Sequence, residues 1–209
     1  MLVPELNDKQ KNILSVANKL FAENGYEGTS IRDIAKEAKI NIAMISYYFG
    51  SKERLLESLI IQRVSGLKPL LEALVIENIS PLDKIDKLID IYTEKIIFNK
   101  GVFRTLHMEN SCQKGQERFK IFNDIKKANL ECIEKIVLEG QEKGVFSKSI
   151  TIPLITPTML GTFFYFSINK DFYFDLFSLK DEKAYNEYIE TNLTPHIKRT
   201  IKAILLYEN

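Results

Sequence analysis

Residues 41–52 read Asn-Ile-Ala-Met-Ile-Ser-Tyr-Tyr-Phe-Gly-Ser-Lys. Projected at about 100° per residue, Ile42, Ala43, Ser46 and Tyr47 share one face of a helix and Ile45 lies on the other. A duplex major groove admits a face of this kind. Short side chains let the helix enter, apolar ones meet thymine methyl groups, and hydroxyls bond base edges or phosphate oxygens. On that chemistry Ile42, Ala43 and Met44 suit methyl contacts, Ser46 and Tyr47 suit hydrogen bonds, and Asn41 stands at the helix start beside them. Positioning on a duplex comes separately, from groups aimed at phosphates. Lys52 and Ser30 each stand at a helix start, where unpaired backbone amides favour an anion. Arg32 follows in the first turn after Ser30 and reaches either a phosphate or a guanine edge. The bland alternatives are concrete as well. Ile42 and Met44 are residue types that cores take first, Tyr48 projects to the edge of the buried face, and Lys52 could be a solvated helix-start lysine, although a cation there opposes the helix dipole.

Holding that face in place requires a frame, and the flanking sequence supplies one. Ile13, Ala17, Leu20 and Phe21 form the stripe of a first helix that Gly25 terminates. Ser30, three residues before Asp33, opens a second helix with a short-armed capping box, and Ile31, Ile34, Ala35 and Ala38 make its buried side. The tight turn AKIN leads to Asn41, a good N-cap for a third helix that packs on the second through Ile40, Ile45 and Phe49. Ser51 caps a fourth, which continues through Leu55, Leu56, Leu59 and Ile60. Two helices joined by such a turn, the second with an outward face of small and aromatic residues, predict a helix-turn-helix over about residues 30–49.

The helical period continues downstream, with no alternating runs bounded by hairpin turns. Ser80-Pro81 reads as an N-cap with proline at the first helical position, followed by Leu82, Ile85, Ile89, Tyr92 and Ile96. The same pattern recurs at Thr156-Pro157 and Thr194-Pro195. A long helix is expected from about Glu117 to Lys143, broken by Gly140 and Gly144. The least regular text is 67–80 and 170–192.

Chain-wide features narrow the function. The 209 residues are 45% hydrophobic and 27% charged with a formal net charge of +1, so a nucleic-acid surface has to come from local clustering. Residues 1–57 carry eight basic and eight acidic groups, which argues for a patch on one side. Cys112 and Cys132 fit neither a disulfide framework nor a zinc site and read as buried thiols. Glu5 and Asp8 interrupt any leader-like apolar run, so a cytoplasmic protein is expected. Ser149–Asn169 holds no charge over 21 positions, but Pro153, Pro157 and six Ser or Thr residues favour a buried helix over a membrane span. The cluster HMENSC, residues 107–112, has the H-x-E of a zinc deaminase signature but lacks its P-C-x-x-C. No nucleophile elbow, phosphate loop or H-E-x-x-H occurs, so no catalytic residue, metal ligand or cofactor is assigned.

From about Ile13 to Leu56 the chain resembles the TetR family of bacterial transcriptional regulators. The match comprises Ala17 with Leu20-Phe21, then ENGYEGTSIRDIAKEA, a hydrophobic turn residue, and YYFGSKERLL with Phe49, Lys52 and Leu55-Leu56 in place. The resemblance implies phosphate contacts from Ser30, Tyr48 and Lys52, and base or groove contacts from Arg32, Ile42, Ala43, Ser46 and Tyr47. Two positions depart from the pattern. Lys39 replaces the usual turn glycine, at a cost of roughly 1 kcal/mol if that residue is left-handed. Ser46 replaces a tyrosine of the reading helix, which moves any aromatic contact to Tyr47 or Tyr48.

The implied fold is all-α: an N-terminal three-helix helix-turn-helix DNA-binding domain, residues 7–67, joined to a C-terminal helical ligand-binding and dimerisation domain, residues 68–209. The implied function is a repressor that binds a palindromic double-stranded operator as a homodimer and is released by a small-molecule effector, with no membrane role. The segments 157–169 and 195–207, the latter with Ile197, Ile201, Ile204 and Leu205, are the expected dimer interface. Phe98, Phe103, His107, Phe119, Phe122, Phe163, Phe164 and Tyr165 are the expected pocket lining, each with core packing as its alternative. The rival readings are a helical enzyme or carrier for a hydrophobic molecule and an adaptor that does not bind DNA.

Overall fold

The computed structural model describes residues 6–98 and 120–207, without the side chains of 63–65, 96–98 and 120–122. Among the described residues the fold is all-helical. The helices are α1 (Asp8–Asn24), α2 (Ile31–Glu37), α3 (Ile42–Phe49), α4 (Lys52–Ser65), α5 (Leu67–Ile76), α6 (Pro81–Phe98), α7 (Lys120–Glu142), α8 (Ile155–Ile168), α9 (Lys170–Leu176), α10 (Glu182–Tyr188) and α11 (Thr194–Leu206). A 3-10 turn at Ile152–Leu154 leads into α8, and a π-helical turn at Ile189–Leu193 joins α10 to α11. No helix among the described residues is long and apolar enough to cross a membrane.

The chain divides into two compact units, residues 6–66 with 120–125 and residues 67–98 with 126–207. In the first, Ile13, Leu14, Ala17 and Phe21 of α1 meet Ile34 and Ala35 of α2, Ile45 and Phe49 of α3, and Leu55, Leu56, Leu59 and Ile60 of α4. Every one of these lies on the apolar stripe of its helix. Polar ties fix the arrangement. The buried Thr29 hydroxyl donates to the Leu20 and Gly25 carbonyls at 3.1 and 2.8 Å, and Lys19 of α1 pairs with Glu37 of α2 at 3.0 Å.

The second unit departs from the sequence reading first in its least regular text. Residues 67–76, 170–176 and 182–188 are helical where irregular chain was expected. Between α8, α9 and α10 the aromatic residues stack: Phe166 on Tyr173 at 4.2 Å, Phe177 on Tyr188 at 4.4 Å and Phe166 on Tyr185 at 5.3 Å between ring centroids. Such stacking lets short helices persist that would be marginal alone.

Ser80 behaves as expected, its hydroxyl accepting from the Asp83 amide at 3.1 Å, but Thr156 and Thr194 are not caps. Helix α8 is entered two residues earlier from the 3-10 turn, and Pro157 falls in its first turn, where no donor is required. Pro195 stands inside a continuous helix. The preceding π turn accommodates its ring, and the Thr194 hydroxyl bonds back to the Ile189 carbonyl at 2.8 Å. Gly140 does not break α7 either. The Phe146 ring lies against it so closely that an added Cβ would be 2.0 Å from a ring carbon, so the glycine admits the ring.

Within the same unit a lysine is buried. Lys84, 3% exposed, donates to the Val75 carbonyl and to the Glu139 carboxylate, both at 2.7 Å.

Candidate nucleic-acid interface

The first unit builds one face upward from its turns. Helix α2 begins at Ser30, whose hydroxyl accepts from the Asp33 amide at 3.2 Å while its own amide donates to the Asp33 carboxylate at 2.9 Å. It ends in a Schellman motif: the Ile40 amide donates to the Ala35 carbonyl at 3.0 Å and the Lys39 amide to the Lys36 carbonyl at 3.1 Å. That closure places Lys39 at φ +55°, the left-handed conformation glycine favours. Asn12 of α1 clips the turn by donating to the Ala38 carbonyl at 3.3 Å. Because the turn is over-determined, the strain at Lys39 persists. Lys39→Gly is expected to stabilise the unit by about 0.5–1 kcal/mol, net of the greater freedom glycine adds to the unfolded chain. Urea titration reads the change, and an unaltered or lower midpoint would count against strain at this residue.

Helix α3 starts at Asn41, whose side-chain oxygen accepts from the Ala43 amide at 2.8 Å, and stops at Gly50, at φ +79°. Its Ile45 and Phe49 are buried in the core. The opposite face is open: Ala43 and Ser46 are exposed, Ile42 is 42% exposed and Tyr47 83% exposed. Met44 and Tyr48 are half-buried at the edges, and the Tyr48 ring lies edge-on to Tyr47 with centroids 5.2 Å apart. Among the described residues, no neighbouring segment covers the face that the helical projection assigned to base pairs.

The candidate phosphate contacts are placed less uniformly. Arg32 is exposed. Ser30 is exposed too, but its hydroxyl donates to Asp33 at 2.6 Å, so it is already engaged. That hydrogen bond, with a second from the Ser30 amide, holds the Asp33 carboxyl below the usual carboxylate range. Asp33 is therefore a negative charge at the helix start that the sequence reading credited only as a cap. Lys52, at the first position of α4, holds its ammonium 4.1 Å from the centroid of the Tyr26 ring. Sequence reasoning missed Tyr26, since a residue 26 positions away leaves no periodic signal.

Of the expected ligand lining, only Phe163, Phe164 and Tyr165 have described side chains. Phe103, His107, Phe119 and the side chains of Phe98 and Phe122 lie outside the described residues. Phe163 is 1% exposed and Tyr165 64% exposed. Two positions along α8 carry one inward and the other outward, with Phe164 between them, so these three neighbours do not line one cavity. The second unit instead carries an open groove of about 550 Å³ bounded by Thr151, Leu154, Ile155, Thr158, Ile204 and Tyr207. Cys132 is buried and free, and burial pushes its thiol up. No group of His, Cys, Asp and Glu able to hold a metal occurs among the described residues.

Comparison with known proteins adds independent findings. A family model described as bacterial regulatory proteins, tetR family, matches residues 13–59, and one described as YsiA-like protein, C-terminal region, matches 68–186. The uncharacterized HTH-type transcriptional regulator YuxN of Bacillus subtilis is 47% identical over 55 residues, 26% of this chain and 19% of that protein. The HTH-type transcriptional repressor KstR2 of Mycobacterium tuberculosis is 24% identical over 151 residues, 72% of this chain and 76% of that one. In three dimensions the chain is similar to the transcriptional regulator FadR from Bacillus subtilis in complex with stearoyl-CoA. The TM-score is 0.69 at 20% identity, over 93% of this chain and 98% of that one.

Proposed function

The chain belongs to the TetR family of bacterial regulatory proteins, and on that premise we propose that it works as a cytoplasmic homodimeric repressor whose α3 face reads a palindromic operator. It is a DNA-binding transcriptional regulator, as its family is, and not an enzyme. The observation that carries the reading is the open face of α3, with Ala43, Ser46 and Tyr47 exposed while Ile45 and Phe49 anchor the helix from behind. In this reading Ile42, Ala43, Met44, Ser46 and Tyr47 lie against base edges. Ser30, Asn41, Tyr48 and Lys52 flank them on the sugar-phosphate walls, and Arg32 reaches either a phosphate or a guanine edge. Residues 7–67 form the DNA-binding part and 68–209 the regulatory and dimerisation part.

Two copies are needed because one short reading helix buries too little surface for tight specific binding, and a two-fold dimer engages half-sites about one helical turn apart. A surface on the second unit supports this. Leu154, Tyr165 and Ile168 of the α8 region are exposed, and so are Ile204, Leu206 and Tyr207 of the α11 region. Gly161, in the middle of α8, is a helix-interior glycine whose added Cβ would meet nothing within 4 Å among the described residues. A glycine there costs helix stability with no compensating contact among the described residues, which fits close approach by a helix of a second copy.

Release follows if an effector prefers the dimer geometry whose reading heads do not match the half-site spacing. The effector class proposed is a small molecule with an apolar portion. The stearoyl-CoA held by the similarly folded Bacillus subtilis regulator makes acyl-CoA thioesters the first compounds to titrate.

Salt dependence tests the DNA assignment. Log affinity for a palindromic duplex is expected to fall steeply with log salt, and Lys52→Ala to reduce the slope by about one for each protomer's contact. A shallow slope unaffected by Lys52→Ala would favour a helical carrier or an adaptor instead.

A further inference from the structure

Lys52 occupies an awkward place. It is the first residue of α4, where the aligned peptide dipoles present positive charge and disfavour a cation. Its side chain is half-buried, and its ammonium is 4.1 Å from the centre of the Tyr26 ring. That distance is well within the range over which the negative face of an aromatic ring attracts a cation. The ring belongs to the segment between α1 and α2 and is itself fixed. It packs against the first core, tilts against Phe21 at 5.4 Å, and the Tyr26 carbonyl accepts from the Thr29 amide at 3.3 Å. Thr29 in turn is buried and donates through its hydroxyl to the end of α1.

From these contacts we propose that Tyr26 is a positioning residue for DNA binding: its ring holds the Lys52 ammonium against one side while a backbone phosphate approaches the other. The inference rests on the assignment of Lys52 as a phosphate contact. A free lysine loses much rotamer entropy when its head is fixed on a phosphate. A lysine already resting on a rigid ring has lost that freedom before the duplex arrives, so less is lost on binding. The ring also offsets the unfavourable helix dipole without neutralising the charge, as a carboxylate partner would. The cation therefore remains available to a phosphate oxygen. If the ammonium had instead to leave the ring to reach DNA, the same contact would oppose binding, so the sign of the effect decides between the two.

The test uses the full-length protein and an inverted-repeat duplex recovered from a random pool. Tyr26→Phe keeps the aromatic face and is expected to hold affinity within about twofold, whereas Tyr26→Leu lowers it about three- to fivefold. Because Tyr26→Leu also removes core packing, a second series keeps the shape. Phenylalanines carrying zero to three ring fluorines are incorporated at position 26, each fluorine drawing electron density from the ring face. Affinity is expected to fall stepwise along the series in the protein with Lys52, and to be flat in a Lys52→Met background. Affinity that is constant or rises with fluorination in the presence of Lys52, or equal losses in both backgrounds, overturns the positioning role and leaves the phosphate contact standing. Should Lys52→Met alone leave affinity and salt slope unchanged, the phosphate contact fails, and the positioning role fails with it.

Discussion

Ala43→Glu is expected to abolish specific DNA binding while leaving the fold intact. Ala43 is the second residue of α3, exposed, and its role in helix initiation is made by its backbone amide, which donates to Asn41. Glutamate is a good helix former, and near a helix N-terminus its charge is favourable, so thermal stability should hold or rise slightly. Against a duplex the same carboxylate would stand between two walls of phosphate with no donor assigned to it. Like-charge juxtaposition at an interface costs several kcal/mol, or about a hundredfold or more in affinity. A dimer carries the change twice. Titration of a fluorescent duplex, with circular dichroism as the folding control, reads both. Undiminished binding by a folded Ala43→Glu protein would remove α3 from the groove.

The largest expected stability effect lies in the second unit. The Glu139→Ala change removes the carboxylate 2.7 Å from the Lys84 ammonium, which is 3% exposed. The remaining partner is the Val75 carbonyl, which leaves a buried charge uncompensated. Breaking a buried pair in this way costs about 3–5 kcal/mol, whereas replacing both members by neutral groups of similar volume is often close to neutral. Glu139→Ala is therefore expected to lower the urea midpoint sharply, and the pair of changes Lys84→Met with Glu139→Gln to restore most of it. Equal losses from the single and double changes would show that packing, and not charge, dominates. Acid should act on the same pair. Hydrogen bonds from Lys143 and Lys84 hold the Glu139 carboxyl below its ordinary value. Its contribution is thus fully present above the unfolded carboxyl range, about pH 4.3, and is lost as the pH falls through the depressed folded value.

Much of the first unit was legible in the text of the chain because its determinants are local. Asn41 caps a helix, Ser30 with Asp33 forms a capping box, and the stripes through Ile13, Ile34, Ile45 and Leu55 recur at helical spacing. The left-handed Lys39 was also foreseeable, since only its residue type departs from what the turn requires. Tyr26 over Lys52 was not, because a cation on a ring face depends on tertiary placement and leaves no spacing to read.

Farther along the chain, the same dipeptide text served two structures. Ser80-Pro81 begins a helix, but Thr194-Pro195 lies within one, where the π turn relieves the ring clash that the rule assumes. Aromatic density alone does not say which rings face inward. Phe163 and Tyr165 are neighbours in sequence yet sit on opposite sides of α8, and Phe166, Tyr173 and Tyr185 satisfy one another by stacking. Which face of α3 points outward is fixed by this chain alone. Which bases meet it is a property of the pair.

The most direct measurement is therefore selection of bound sequences from a random duplex pool, run in parallel on the protein as it stands and on Ser46→Ala. Enrichment of an inverted repeat with half-sites about one helical turn apart is expected. Ser46→Ala is expected to relax the base preference at one position, identically in both halves. A motif without two-fold symmetry, or a symmetric one that Ser46→Ala leaves unchanged at every position, would contradict the claim that the outward side of α3 is the surface that reads DNA.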